Sequence, residues 1–183
     1  MEVRGSVVSN INAYVKEMHP EGYDEWINKL SNSSQELMKR TTSSKWYPIN
    51  EGILEPTQIM CSQFYGSAKE GAWKSGRYSA EVGLSGLYKV FVVISTPTFL
   101  IKRASRVLAT FYNPTEVSVV DSSDHSMLVH FTKLPTKNEF LEYRIAGWME
   151  KALEICGCKD LSVRATKSIA KGDDLFEVQI SWR

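Results

Sequence analysis

Apolar residues recur every three or four positions over the first two-thirds of the chain and every second position over much of the last third. Val7, Val8, Ile11, Val15 and Met18 form one stripe of a helix that must stop near His19-Pro20, where proline brings no N–H and crowds the preceding turn. Asp24 to Leu30 predicts a short helix anchored by Trp26, Ile27 and Leu30; Asn32-Ser33-Ser34 is a break or a fresh N-cap, and Gln35 to Arg40 resumes the helix. Trp46-Tyr47-Pro48 reads as extended, because the residue before a proline is pushed out of the helical region. A helix from Pro56 to Tyr65 buries Ile59, Met60 and Phe64.

Glu70 to Leu87 carries Gly71, Gly76, Gly83 and Gly86 inside a helical pattern. Each glycine costs a helix interior ~1 kcal/mol relative to alanine, so packing must compensate. Gly76, Ala80 and Gly83 fall on one smooth stripe that admits the close approach of another backbone. Thr98 to Tyr112 predicts a further helix, with Leu100, Ala104, Val107, Leu108 and Phe111 on its apolar face.

After Asn113-Pro114 the period changes. Val117–Val120 and Met127–Thr132 predict two strands joined through residues 121–125. Asn138 to Cys156 is the strongest helical pattern, with Leu141, Ile145, Trp148, Met149, Ala152 and Cys156 on one stripe and Gly157 as its stop. Two alternating strands close the chain. Leu161, Val163 and Ala165 face inward in the first; Phe176, Val178, Ile180 and Trp182 do so in the second. The layout is α+β: an N-terminal helical bundle packed on a four-stranded antiparallel sheet of β-β-α-β-β order. It reads as a single domain over 1–183, mainly helical over 1–113 and β-β-α-β-β over 114–183.

Composition narrows the function little. The 183 residues are 43% hydrophobic and 23% charged, and 22 basic against 21 acidic side chains leave a net charge of +1, which argues against nucleic-acid binding by the whole surface. Val90–Ile94 is the longest strongly apolar run, far short of the ~20 residues of a membrane span. The first residues lack the basic and apolar blocks of a secretory signal, and three cysteines fit reduced thiols, so a cytoplasmic location is expected.

Val3-Arg-Gly5, Tyr47-Pro48 before the middle helices and the closing Phe176–Trp182 strand give the chain a resemblance to a bacterial family related to the haem–nitric-oxide-binding domain. The wider group includes 4-vinyl-reductase-type sensor domains and core subunits of a vesicle-tethering complex. The resemblance implies helices packed on a four-stranded sheet, often around an apolar cavity, and functions from gas sensing to protein assembly. Haem-binding members ligate iron through a histidine on the helix before the sheet and hold the propionates with Tyr-x-Ser-x-Arg. Here Thr98–Tyr112 contains no histidine and that motif is absent; Arg144 directly follows Tyr143. Haem bound in that manner is not expected, and no cofactor is assigned.

Other chemistry is faint. His19, His125 and His130 have no ligand-like spacing, Cys156-Gly-Cys158 is shorter than a Cys-x-x-Cys site, and the phosphate-binding glycine motifs are missing, so neither a metal nor a catalytic residue is assigned. His19, at a helix stop, is expected to suit the negative end of the dipole as a cation. The expectation is a non-catalytic sensory or small-molecule-binding domain. Phe64, Trp73, Tyr78, Tyr88, Phe111 and Trp148 are candidate walls of an apolar cavity between the glycine-bearing helix and the sheet. The alternative is a protein-interaction module of the tethering-subunit type, a homodimer or adaptor, with Gly76, Ala80 and Gly83 as its interface. Lys102, Arg103 and Arg106 form a basic patch on either reading. The partners expected are therefore an apolar small molecule or another protein.

Overall fold

Val3 is fully buried at the middle of a small sheet. The computed structural model describes residues 1–85, 96, 99 and 107–183. In it β1 (Glu2–Arg4) lies between β2 (Trp46–Pro48) and β3 (Tyr112–Asn113), antiparallel to both, with Val3 opposite Tyr47 and Tyr112. Strands of two or three residues are too short to display an alternation, so only the extended reading of Trp46–Pro48 foreshadows this sheet. Arg4 fastens it: the guanidinium donates to the carbonyls of Ser44 (2.8 Å) and Thr110 (3.1 Å) and lies 4.1 Å from the Trp46 ring centre.

The described helices of the first half fall on the predicted stripes, whereas the helix predicted over Thr98–Tyr112 lies largely outside the described residues and Tyr112 itself pairs in β3. α1 (Gly5–Met18) buries Val7, Val8, Ile11, Tyr14 and Val15 and stops at His19-Pro20, while Met18 in its last turn is exposed. α2 (Tyr23–Lys29) buries Trp26, whose indole N–H donates to the Pro56 carbonyl at 3.1 Å. α3 (Asn32–Arg40) is capped one residue earlier than Asn32-Ser33-Ser34 suggests, by the Ser31 hydroxyl, which accepts from the Ser34 N–H. α4 (Glu55–Phe64) follows a π-helical turn over Asn50–Leu54 and buries Met60 and Cys61.

Glu55 ties α4 to the start of α3. Its carboxylate accepts from the Ser31 N–H (2.7 Å), the Ser31 hydroxyl (2.8 Å) and the Ser34 hydroxyl. Burial pushes this carboxyl up, but the Ser34 and Ser31 donors outweigh burial and hold it below the usual carboxylate range. A depressed folded-state pKa contributes stability that is complete above the unfolded pKa and lost as pH falls through the folded one. Glu55→Gln is therefore expected to cost about 1–2 kcal/mol at pH 7 and progressively less under acid conditions. Urea denaturation at pH 7 and pH 3 checks this; an equal cost at both would remove the charged cap from the account.

The second half forms β4 (Glu116–Ser122), β5 (Ser126–Lys133), α6 (Glu139–Ile155), β6 (Ser162–Lys167) and β7 (Phe176–Ser181). The antiparallel order is β4-β5-β7-β6, so the last strand pairs centrally and β6 is an edge. Met127, Val129, Phe131, Phe176, Val178 and Ile180 form the buried face and share one core with Leu141, Ile145, Met149 and Leu153 of α6. Val163 and Ala165 lie opposite Ile180 and Val178, yet Val163 is only half-buried and Ala165 is exposed, because this edge of the sheet is left uncovered. α6 starts at Asn138, whose side chain caps the Phe140 and Leu141 N–H groups, and Gly157 just beyond its end has φ of 97°. α5 (Ala68–Gly83) packs most extensively on α6 and also touches α1 and α4. The molecule is α+β, with helices against a four-stranded antiparallel sheet. No described helix is long and apolar enough to cross a membrane.

Candidate functional site

Two glycines set the distance between α5 and α6. A Cβ at Gly76 would lie 2.0 Å from the Arg144 carbonyl oxygen, and a Cβ at Gly147 would lie 2.2 Å from the Trp73 carbonyl oxygen. Each helix therefore presses a glycine against the other's backbone, three residues from the carbonyl it offers in return. At the next turn Trp73 donates its indole N–H to Glu150 (2.8 Å), and Arg77 bridges Glu150 and Glu154.

This crossing encloses a charge. Arg144 is 2% exposed, and it donates to the hydroxyls of Ser75 (2.8 Å) and Ser79 (2.6 Å) one turn apart on α5. Those hydroxyls donate in turn to their own helix, Ser75 to the Ala72 carbonyl and Ser79 to the Ser75 carbonyl, so they meet the guanidinium as acceptors only. Among the described residues Arg144 Nε has no acceptor, and no carboxylate lies within ion-pair distance of the guanidinium. A buried cation costs several kcal/mol unless an anion compensates it, and arginine cannot shed its proton.

A chain of aromatic hydroxyls and a histidine lies beside the C-terminal end of α1. The Tyr14 and Tyr65 hydroxyls are 2.5 Å apart, His19 Nε2 is 2.8 Å from the Tyr65 hydroxyl, and Phe64 stacks on the His19 ring at 4.1 Å. Tyr78 meets Tyr14 edge to face at 5.3 Å. Burial, then the hydrogen bond to Tyr65, pushes the Tyr14 phenol far up; burial and Glu17 push Tyr78 up to about 12. His19 is not the cation expected at a helix stop, since burial and the Lys74 ammonium lower its pKa.

The sequence candidates therefore separate. Phe64 and Tyr78 belong to the His19–Tyr14 cluster, whereas Trp73 faces Glu150 and borders a surface cleft with Lys69, Lys74 and Arg77. Phe111 and Trp148 are partly buried against the main core. Gly76 and fully buried Ala80 are covered within the chain, Gly76 by α6, while Gly83 has open space around it. The α5 glycine stripe thus meets α6 where the sequence predicts a cavity against the sheet, and it is not free for a second copy at Gly76. Tyr88, Lys102, Arg103 and Arg106 lie outside the described residues. Sequence reading missed Arg144, Ser75, Ser79 and Gly147. The available signal was small residues on both helices, Ser75-Gly76 and Ser79-Ala80 on one and Ala146-Gly147 on the other.

Of the three imidazoles, His19 is bound to Tyr65, His130 pairs with Glu177 at 2.7 Å on the outer sheet face, and His125 lies in the β4–β5 turn. Among the described residues no three His, Cys, Asp or Glu side chains gather as a metal site. Burial pushes the Cys61 thiol up to about 12 and that of Cys158 up to about 11, away from thiolate character.

No protein-family model and no curated protein matches the sequence. Solved structures do match in shape. An H-NOX protein from S. oneidensis in the Fe(II)NO ligation state aligns with a TM-score of 0.77 at 12% identity, over 98% of this chain and 99% of that one. The Fe(II) unliganded H-NOX protein from K. algicida gives 0.71 at 14% identity, over 98% and 96%. A Cs H-NOX mutant carrying the unnatural amino acid 4-cyano-L-phenylalanine gives 0.73 at 12%, over 98% and 96%. The chain has the fold of the H-NOX proteins.

Proposed function

We propose that the protein is a non-catalytic sensory domain of the cytoplasm that binds a largely apolar small molecule carrying an acidic group, without histidine-ligated haem. The observation that carries this reading is the buried guanidinium of Arg144, held by two serine hydroxyls with its Nε–H unanswered among the described residues. An acidic group on a ligand supplies the missing anion, and charge-assisted hydrogen bonds inside a protein are stronger than neutral ones. The likeness to H-NOX structures supports a domain that holds a small molecule, but the imidazoles of this chain do not offer an axial ligand from the helix before the sheet. The interaction-module alternative loses Gly76 from its interface, because α6 already covers it.

Native mass spectrometry with an absorption spectrum, on protein purified without added cofactor, tests the proposal. The expected result is an extra bound mass with no Soret band, absent from a folded Arg144→Met variant. A Soret band in the purified protein overturns the haem-free reading. Ligand-free protein whose melting temperature no long-chain carboxylic acid raises overturns the sensor reading as a whole.

A further inference from the structure

The uncovered edge of the sheet is a second candidate site, chemically unlike the first. A cleft of about 490 Å³ runs between β6, the first half of α6 and the loop after β6. Its floor is apolar: Val163 and Ala165 on the inward face of β6, with Tyr143 of α6 beside them. Lys69 and Lys171 stand on its rim; Arg164 and Lys167 also border it, but Arg164 alternates with Val163 and Ala165 and so belongs to the outer sheet face, opposite exposed Gln179. Two carboxyl groups also line it, but both are engaged. Glu142, 2% exposed, accepts from the Ser168 hydroxyl (2.6 Å) and the Ala170 N–H (3.0 Å); Asp173 accepts from the Ser168 N–H (2.7 Å).

The cations are not spent in the same way. Lys167 leans toward Glu177 at 3.6 Å, whereas Lys171 reaches the Tyr143 hydroxyl and Lys69 lies over the Trp73 ring. The loop carrying Lys171 is fixed by Ser168, whose hydroxyl also accepts from the Lys171 N–H, and by Gly172 at φ of 103°. The β6–β7 register shifts between Ala165 and Lys167. A preorganised rim costs a ligand less ordering than a mobile one.

We propose that this cleft binds a small organic anion, its flat or short apolar body lying on Val163, Ala165 and Tyr143 and its carboxylate or phosphate between Lys69 and Lys171. The volume lies within the range of small-molecule sites, roughly 300–1,000 Å³. The site does not involve Arg144, so it stands or falls separately from the sensor reading.

1-Naphthyl phosphate and 1-naphthoate are the probes, titrated into the full chain by calorimetry and by amide NMR. The expected result is saturable binding of at least one of them, with shifts confined to β6, residues 139–143 and residues 168–173. The stronger probe identifies the acidic group. Lys69→Glu and Lys171→Glu should each weaken it about tenfold or more, and Ala165→Leu should block it with every charge retained. The proposal is overturned if neither probe saturates at millimolar concentration, or if affinity is indifferent to all three substitutions. Tighter binding of an acidic extended peptide that protects the free edge of β6 along its length also overturns it, since that edge would then serve strand pairing.

Discussion

Gly76→Ala is expected to destabilise the protein by about 3–5 kcal/mol, at the severe end for a single methyl group. The reason is where the methyl must go. Its Cβ would lie 2.0 Å from the Arg144 carbonyl oxygen, and a backbone atom in the middle of α6 cannot swing aside as a side-chain tip can. Relief requires separating α5 from α6, which opens the buried contact of Ala72, Ser75 and Ser79 with Arg144 and its neighbours. Alanine's better helix propensity returns only ~1 kcal/mol. Gly147→Ala should cost a similar amount, because its Cβ meets the Trp73 carbonyl oxygen at 2.2 Å. The double variant should cost clearly less than the sum, since one separation relieves both collisions. Gly83→Ala is the control: no atom of the described residues lies within 4 Å of its Cβ, so the same substitution on the same helix should be neutral or stabilise by up to ~1 kcal/mol. Urea denaturation of the four variants and the parent checks the set. A Gly76→Ala variant as stable as the parent would show that the crossing is not set by glycine.

These residues also show what could be read from the sequence and what could not. Periodicity locates α1, α4, α6, β5 and β7 to within a residue or two, because each buries a single face against one layer and its apolar spacing records that burial. The same logic fails on α6 in one respect. The helix serves the sheet with Leu141, Ile145 and Met149, and serves α5 with Arg144 and Gly147, and the second face contains nothing a hydrophobic stripe can register. Arg144 reads as a solvent-facing charge between two core positions, and only the helix packed over it makes it a buried one. Ala165 shows the converse. Its alternation with Val163 places it on the inward face correctly, but alternation cannot say whether anything covers an edge strand there. Similarly, Gly76 announces a close approach, whereas the partner helix and its reciprocal glycine are matters of tertiary contact.

Arg144→Met is expected to raise the stability of the ligand-free protein by about 1–3 kcal/mol, although it removes a fully buried side chain and two hydrogen bonds. The sign follows from the donors and acceptors. When the guanidinium leaves, Ser75 and Ser79 keep the bonds they donate to Ala72 and Ser75, so no buried donor is orphaned and only lone pairs lose a partner. What disappears is a desolvated positive charge facing neutral groups, since burial holds the nearby Tyr14 phenol and Cys61 thiol well above their usual pKa values. Methionine is close in length and fills the gap flexibly. Arg144→Ala, by contrast, should destabilise by about 2–3 kcal/mol, because the lost volume becomes a cavity between two packed helices. If the guanidinium served only as a structural clamp, Met and Ala would both destabilise and Lys would largely rescue. If it is kept for an anion, Met stabilises the empty protein and at the same time abolishes the rise in melting temperature that an acidic ligand produces. Thermal unfolding with and without a long-chain carboxylic acid separates these outcomes, because a site maintained for function is one where removing the functional group makes the unliganded fold more stable.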